Sequence, residues 1–260
     1  MRGALDTLLP LIVAILILSA WEWAVAHWQV PAYVLPGPSA IGKAFMANFS
    51  SLMTAWLTTL TVTALAFVAA TITGLGFAVL FAESRLAERT LYPYAITIQV
   101  TPVVAIAPLI LIWVGYDRVV VAETLIATIV AFFPILSNAT LGLKSANFDL
   151  IDLVRLYGAS RWQVLWRVRL PTALPNLLSG MKTAGGLALI GTVVAEFVAG
   201  SGTATGLAWR IVESGNRLEI ATLFAALGLL ALTGVLIFAA LSLLEWLLLR
   251  RWHESALARP

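Results

Sequence analysis

Residues 152–171, DLVRLYGASRWQVLWRVRLP, form a basic, helix-forming stretch between two long apolar runs of the chain. Gly158 can end a first short helix in a left-handed conformation, which costs glycine little because it has no Cβ. Ser160 can then begin a second helix, since the sequence SRWQ that it opens fits a capping box. The stretch therefore predicts two short helices joined at a glycine corner. Pro171 and Pro175 are expected to end the second helix and open the next apolar run.

Outside this stretch the composition is that of a membrane protein. Hydrophobic residues make up 61% of the 260 residues and charged residues only 11%, which leaves too little polar surface for a soluble globule. The chain has no cysteine, and its two histidines, His27 and His253, lie outside the long apolar runs. Disulfides and metal centres built from cysteine or histidine are therefore not expected. The topology explains the net charge of +3 without nucleic acid or anionic lipid as a ligand.

Six apolar stretches reach the roughly 20 residues that a helix needs to cross the hydrocarbon core. They are residues 8–28, 57–82, 91–114, 119–143, 172–198 and 220–248. The sequence thus predicts an all-α polytopic membrane protein in which residues 1–260 form a single transmembrane domain. We interpret the first stretch as a retained anchor, because no small-residue cleavage site follows it; a removed signal peptide is the alternative.

The basic residues predict the orientation, since Lys and Arg accumulate on the cytoplasmic side. Six spans place both termini on one side, and that side would hold Arg2, Arg85, Arg89, Lys144, Arg155, Arg161, Arg167, Arg169, Arg250, Arg251 and Arg259. The other side would hold Lys43, Arg118, Arg210 and Arg217, with Lys182 left near the start of the fifth span. Both termini and the loop 144–171 are therefore predicted to be cytoplasmic.

The third span, 91–114, contains Pro102 and Pro108, each of which removes a backbone donor and favours a kink. A bent helix can line a cavity, so Gln99, Thr101 and Pro102 are candidate residues of a substrate path. The alternative is that the polar side chains bond the carbonyls that a membrane proline leaves free.

The fifth span carries a stripe of small residues at four-residue intervals that ends in a carboxylate: Gly180, Ala184, Ala188, Thr192 and Glu196. Small side chains permit close approach of a neighbouring helix, so the first three are candidates for dimer packing near the dimer axis. Thr192 and Glu196 are candidates for a gate or a cargo contact, because ionisable groups within membranes are usually functional. The alternative places Glu196 at the outer interface, hydrated and paired with a loop arginine such as Arg210.

Other features are interpreted structurally. Glu123 and Glu245 lie at span ends, where hydrated or snorkelling charges are ordinary. Residues 36–39, PGPS, break the chain, and apolar residues then recur near helical spacing from Ile41 to Trp56. This pattern predicts an interfacial helix that either anchors the chain or contacts an external partner.

The loop 144–171 has the features of a docking element. The two short helices would form a compact knob whose apolar residues enter a groove of a partner while its arginines meet acidic groups: Leu153, Leu156, Tyr157, Arg155 and Arg161. Large apolar groups in a cytoplasmic loop indicate an interface. A solvated basic loop that follows the positive-inside rule is the alternative.

Several motifs occur in an order that resembles permeases of the nitrate/sulfonate/taurine group of ABC importers. They are Leu35-Pro36-Gly37-Pro38-Ser39, Thr101-Pro102, PLILIWVG at 108–115, Phe132-Phe133-Pro134-Ile135, and Val194-Ala195-Glu196 followed by Gly206-Leu207. The stretch 152–171 resembles the EAA loop of these permeases, which docks on an ATP-hydrolysing partner. The chain has DLV, beginning at Asp152, where the name-giving Glu-Ala-Ala stands, and so keeps the negative charge.

This resemblance implies the type I importer fold: a permease dimer, expected to be a homodimer, with two cytoplasmic ATP-binding subunits and an external solute-binding protein in a bacterial inner membrane. It implies an ATPase-coupling role for Asp152, Leu153, Arg155, Leu156, Tyr157, Gly158, Ala159, Ser160, Arg161, Leu170 and Pro171. No catalytic residue and no cofactor is expected in this chain, and ATP and Mg would bind the partner. The chain accordingly lacks a G-x-x-x-x-G-K-[ST] phosphate-binding motif.

The sequence gives little support to two other functional classes. An ion-coupled secondary transporter would use Glu196 and Lys182, but no paired, similarly interrupted segments indicate inverted repeats. An intramembrane enzyme would need a nucleophile beside a base, and Ser137, Ser179 and Thr192 have nothing basic at a useful spacing. The transported solute does not follow from the sequence, because an external binding protein would select it.

Overall fold

A computed structural model describes residues 2–200 and 206–250 of the chain. Over these residues the fold is helical, without a strand. The helices are α1 (Arg2–His27), α2 (Pro38–Ala47), α3 (Phe49–Glu83), α4 (Arg85–Val100), α5 (Val103–Val114), α6 (Val119–Lys144), α7 (Phe148–Leu156), α8 (Arg161–Val164), α9 (Leu170–Ala199), α10 (Leu207–Asn216) and α11 (Ile220–Leu249). A 3₁₀ turn, Tyr116–Arg118, precedes α6, and a π-helix, Leu165–Arg169, joins α8 to α9.

Five helical stretches are long and apolar enough to cross a membrane. They are Leu9–His27, Phe49–Glu83, Tyr116–Lys144, Arg161–Ala199 and Ile220–Leu249, and α4 with α5 would add a sixth if the pair is one span. The predicted all-α, polytopic membrane fold is confirmed, because helices of this length and apolarity satisfy all their backbone hydrogen bonds internally.

The third span consists of two helices where the sequence predicts one kinked helix. The axes of α4 and α5 differ by 100°, and the break lies at Thr101 and Pro102. Thr101 is extended (φ −71°, ψ 128°), as expected of a residue that precedes proline. Pro108 lies inside α5 and does not interrupt it. Of the two interior prolines, therefore, only Pro102 coincides with a break.

The expectation that Pro171 and Pro175 end a helix is wrong. The helical stretch runs on from Arg161 to Ala199, with Pro171 in the first turn of α9 and Pro175 inside it. Proline lacks the N–H that bonds the carbonyl four residues earlier, and its ring crowds that carbonyl. The π-helix just before Pro171 widens the turn at this point and so accommodates the ring.

The interfacial helix is also shorter than predicted. Helix α2 ends at Ala47, Asn48 follows it, and α3 begins at Phe49. Asn48 caps the end of α2 by donating to the carbonyl of Ala44 at 3.1 Å. Glu22 supports the start of α2, because its carboxylate accepts from the Ser39 N–H at 2.9 Å and from the Ser39 hydroxyl at 2.7 Å.

Contacts group the chain into two units, residues 1–58 with 205–231 and residues 59–204 with 232–260. In the first unit, Asn48 donates to Thr222 at 3.3 Å, and the rings of Trp21 and Phe224 lie 5.9 Å apart. Arg210 bonds both Glu213 and Ser51 there.

The second unit is built on the packing of α6 against α9. Glycines allow close approach, because an added Cβ would lie within 3 Å of the neighbouring helix backbone at Gly142, Gly180 and Gly191. Small buried residues continue this interface, among them Ala131, Ala184 and Ala188. The small-residue stripe of α9 predicts close approach of another helix, and within this chain that helix is α6.

Candidate coupling surface and buried carboxylates

Helix α7 is a short, capped helix that ends at a glycine corner. The Asn147 side chain accepts from the Asp149 N–H at 2.8 Å at its start, and Tyr157 follows its end. Gly158 has φ +79°, which confirms the predicted left-handed conformation. The Gly158 N–H bonds the carbonyl of Arg155 at 2.8 Å, and the Ala159 N–H bonds that of Val154 at 3.1 Å. These bonds close the helix in the manner of a C-terminal cap.

The predicted capping box at the start of α8 is confirmed. The Gln163 N–H donates to the Ser160 hydroxyl oxygen at 3.3 Å, and the Ser160 N–H donates to Oε1 of Gln163 at 2.8 Å. Hydrogen bonds therefore cap both helix ends at the corner.

The two short helices enclose a small apolar cluster and leave a second apolar face exposed. The inner cluster comprises Ala146, Ile151, Val164 and Val168, with Val154 and Ala159 packed against it. On the exposed face Leu156 and Tyr157 are 86% and 85% exposed, and Leu153 is about half exposed. An apolar face on a packed scaffold is typical of a binding surface. We call residues 147–164 the coupling knob.

The predicted coupling residues fall in two places. Those from Asp152 to Arg161 lie together on the coupling knob, where Asp152 and Arg155 form an exposed ion pair at 3.9 Å. Leu170 and Pro171 lie beyond the π-helix in the first turn of α9, and Leu170 packs against the buried cluster that includes Leu165 and Ala173.

Arg169 fixes the base of the coupling knob to α3. Its guanidinium donates to the carbonyl of Ala82 at 3.0 Å and to the carboxylate of Glu83 at 2.9 Å. Because the Arg169 side chain is only 17% exposed, this contact is stronger than a surface ion pair. The coupling knob is therefore held at its base as well as within itself.

A polar layer crosses the otherwise apolar interior of the second unit. The Thr59 hydroxyl donates to the carboxylate of Glu196 at 2.6 Å, and the Thr63 hydroxyl lies 3.1 Å from that of Thr192. Thr192 and Glu196 are fully buried. The interpretation of Glu196 as a hydrated residue at the outer interface is therefore wrong.

A second carboxylate, Glu123, is also buried, where the sequence predicts a hydrated charge at the end of a span. Glu123 is 2% exposed, and its Oε1 has no hydrogen-bond partner among the residues that the structure describes. It lies within electrostatic range of Glu196. Its four-residue spacing from the buried Ala127 and Ala131 is the signal that could have placed it on the inner face of α6.

Lys182 and Glu196 do not lie together. Lys182 pairs with Glu245 of α11 and lies over the ring of Phe238 at 5.9 Å. This ion pair agrees with the structural interpretation of Glu245, and its two side chains are each less than one third exposed. A coupling role shared by Lys182 and Glu196 therefore has no support in their placement.

The path candidates of the third span lie at its bend and not in the buried polar layer. The Thr101 hydroxyl donates to the carbonyl of Thr97 at 2.7 Å, which is the alternative role that the sequence left open. Gln99 and Pro102 are exposed, unlike Thr192 and Glu196. Over the described part of the chain, no group of three or more His, Asp or Glu residues is placed to hold a metal ion.

Comparison with known proteins assigns this architecture to a transport family. Residues 70–252 match the family described as the binding-protein-dependent transport system inner membrane component. The riboflavin transport system permease protein of Chloroflexus aurantiacus is 35% identical over 242 residues, 92% of this chain and 88% of the relative. The formylaminopyrimidine transport permease protein of Halalkalibacterium halodurans is 30% identical over 256 residues, 98% of this chain and 100% of the relative.

A third relative, the taurine transport system permease protein of Escherichia coli, is 29% identical over 245 residues, 91% of this chain and 86% of the relative. The family is one of transport permeases and not of enzymes. The matches span nearly the whole chain and agree with its apolar, multi-helix fold. The chain belongs to the family of binding-protein-dependent transport system inner membrane components, as an ABC importer permease.

Proposed function

We propose that this permease forms, as a dimer, the membrane path for a small solute that an external binding protein delivers. A separate ATPase drives transport by docking on the coupling knob. The observation that carries this proposal is the construction of the coupling knob, in which capped helix ends and an inner apolar cluster hold Leu153, Leu156 and Tyr157 outward. In the proposed complex these residues enter a groove of the ATPase.

The coupling knob also offers a recess for the partner. A cavity of about 320 Å³ lies beside the glycine corner, lined by Tyr157, Gly158 and Gln163 among others. Arg167 lines the same cavity and supplies a positive charge for an acidic residue of the ATPase. Asp152, at the position of the Glu in the EAA pattern, is exposed beside Arg155 and adds a charge of opposite sign.

The helical stretch Arg161–Ala199 supplies the transmission. It connects the second helix of the coupling knob directly to Thr192, roughly 45 Å away at ~1.5 Å per residue. Closure of the ATPase dimer would displace the coupling knob as a rigid body, and α9 would carry this displacement to the buried polar layer. Thr192 and Glu196 are the proposed gate residues, with Glu123 added from the structure.

In this proposal residues 1–260 act as one transmembrane permease domain, with both termini and the coupling knob on the cytoplasmic side of a bacterial inner membrane. ATP and Mg bind the ATPase, and this chain holds no cofactor. The charge distribution supports the orientation, since eleven of the sixteen basic residues lie on the side predicted to be cytoplasmic and four on the other. Relatives named for riboflavin, formylaminopyrimidine and taurine favour a small organic solute as the cargo.

Co-purification from native membranes tests the proposal. The tagged chain is compared with Leu156→Asp/Tyr157→Asp, which places charge on the exposed face of the coupling knob. Leu218→Asp is the matched control, because Leu218 is 70% exposed after α10, on the side predicted to face outward. We expect an ATP-binding subunit with the wild type and the control, and its loss with the coupling-knob variant. If no form recovers an ATPase in mild detergent, the proposal fails.

A further inference from the structure

A second cavity, of about 370 Å³, lies where the ends of α3, α4 and α6 meet the base of the coupling knob. It is distinct from the exposed face of the coupling knob. Four basic side chains and one carboxylate line it: Arg85, Arg89, Lys144, Arg169 and Glu88. We call it the basic cavity.

Two of these four basic side chains form ion pairs with carboxylates, and the other two do not. Lys144 pairs with Glu88 at 2.5 Å, and Arg169 pairs with Glu83 at 2.9 Å. Arg85 and Arg89 have no ion pair with any side chain in 9–200 or 206–250. They lie four residues apart on α4, so both guanidinium groups extend from one face of the helix. The basic cavity therefore holds two arginines whose charge is not balanced within the chain.

A buried donor in the wall also lacks a partner. Nε of Arg169 is inaccessible to solvent and makes no hydrogen bond to the described residues. Buried donors are almost always bonded in folded proteins, so an unbonded one indicates a polar group that binds from outside the chain. Arg169, which lines the basic cavity, thus has one donor unused.

The remaining wall is apolar and comes from helix ends. Phe81 and Leu143 are buried side chains in the last turns of α3 and α6, and Phe148 is 74% exposed at the start of α7. A ligand that fits this wall carries an anionic group for the arginines and an apolar part for the exposed ring of Phe148. Because the cavity lies at the ends of membrane-spanning helices, an anionic phospholipid meets both requirements where a free anion meets only the first.

We propose that the basic cavity binds the phosphodiester headgroup of an anionic phospholipid of the cytoplasmic leaflet. Arg85 and Arg89 supply paired N–H donors to the phosphate oxygens, as guanidinium groups do for phosphates in general. Lys144 and Arg169 connect the same site to the base of the coupling knob. Bound lipid therefore ties the α3–α4 turn to the element that docks the ATPase. The placement in the cytoplasmic leaflet rests on the proposed orientation.

Thermal unfolding of the purified full chain in mixed micelles tests this site. Phosphatidylglycerol is compared with phosphatidylcholine, and inorganic phosphate is added to the phosphatidylcholine micelles as the free-anion arm. We expect phosphatidylglycerol to raise the Tm of the wild type by about 5 °C relative to phosphatidylcholine, because a ligand that binds the folded state stabilises it. Inorganic phosphate should give no shift. A phosphate shift equal to that of the lipid would overturn the lipid assignment.

Variants that each remove one positive charge test whether the phosphatidylglycerol shift comes from the basic cavity. Arg85→Gln and Arg89→Gln should each lose at least half of the phosphatidylglycerol shift, whereas Arg250→Gln should keep it. Arg250 is the matched control, since it is exposed at the same predicted side and lies over the ring of Trp246 at 5.0 Å, away from the cavity. Equal shifts in all three variants would overturn the proposal, because the lipid effect would then reflect general surface charge.

Arg85→Lys and Arg89→Lys cover the case in which the glutamine variants do not fold. They keep the charge but lose the planar pair of donors, so their shift should be smaller than that of the wild type; an undiminished shift in both would count against the site. The measurement does not involve the ATPase. Failure of lipid binding and failure of ATPase docking on the coupling knob would therefore be seen separately.

Discussion

Gly158 holds the backbone at φ +79° between α7 and α8, and no atom lies within 4 Å of the position that a Cβ would occupy. A substitution there consequently acts through the backbone and not through a clash. Asn tolerates the left-handed region, whereas a β-branched residue is strained in it by about 1–3 kcal/mol. We expect Gly158→Val to lower the recovery of the co-purifying ATPase by about tenfold, equivalent to roughly 1.4 kcal/mol, and Gly158→Asn to retain it. Equal recovery with both variants would show that the corner's geometry does not matter for docking.

The hydrogen bond from Thr59 to Glu196 allows a prediction about the buried polar layer. Thr59→Val keeps the side-chain shape but removes the donor from a fully buried carboxylate. We expect a loss of about 1–3 kcal/mol in the free energy of unfolding, seen as a lower Tm in detergent. Thr54→Val is the control, because the exposed Thr54 hydroxyl donates to the Ser50 carbonyl of its own helix, and its loss should change stability by less than about 0.5 kcal/mol. An unchanged Tm for Thr59→Val would refute a structural role for this bond.

Among the elements, α6 and α9 approach each other most closely where glycine replaces a side chain. An added Cβ at Gly191 would lie 2.8 Å from the Cα of Ala127, whereas one at Gly186, on the same helix, would have no neighbour within 4 Å. We expect Gly191→Ala to lower the free energy of unfolding by about 1–3 kcal/mol through overpacking. Gly186→Ala should raise it by up to about 1 kcal/mol through helix propensity. Thermal unfolding of the two variants side by side gives the comparison, and destabilisation of equal size would contradict it.

Local signals explain which parts of the coupling knob could be predicted from sequence. The capping box at Ser160 and the left-handed Gly158 involve only residues within a few positions of each other, so the sequence alone specifies them. The continuation of the helical stretch through Pro171 could not be predicted from such local signals. Whether a π-helix forms at 165–169 depends on how α9 packs beyond it, and no short sequence motif predicts that packing.

The buried carboxylates were harder to predict for a related reason. A helix that is apolar on almost all sides, such as α6, gives only a weak periodic signal of which face turns inward. The sequence therefore predicts that Glu123 is hydrated, although Glu123 is buried on the inner face of α6 with Ala127 and Ala131. The 100° angle between α4 and α5 is likewise set by packing, whereas the presence of a break follows from Pro102 alone.

At the scale of the whole molecule, the proposed dimer needs a helix face that this chain leaves uncovered. The stripe of Gly180, Ala184 and Ala188 is buried against α6 within the chain, so a dimer contact through α9 has to use another face. Exposed residues do recur at helical spacing on α9: Ser179, Thr183, Gly186 and Ile190. Their small size at three of four positions permits close approach of a second copy.

Cysteine cross-linking separates the two faces of α9. The chain has no cysteine, so Gly186→Cys and Ala188→Cys each introduce a single thiol. Oxidation in native membranes should link two copies of Gly186→Cys, because a disulfide forms where Cα atoms come within about 7 Å. Ala188→Cys should stay unlinked, since Ala188 is completely buried within one chain. Linkage through Ala188→Cys alone would mean that the chain opens along α6 to dimerise, and failure of both would remove α9 from the dimer interface. Linkage through Gly186→Cys alone would place the exposed face of α9, opposite its contact with α6, at the axis of the dimer. A displacement of the coupling knob that α9 transmits would then reach the solute path from both copies at once.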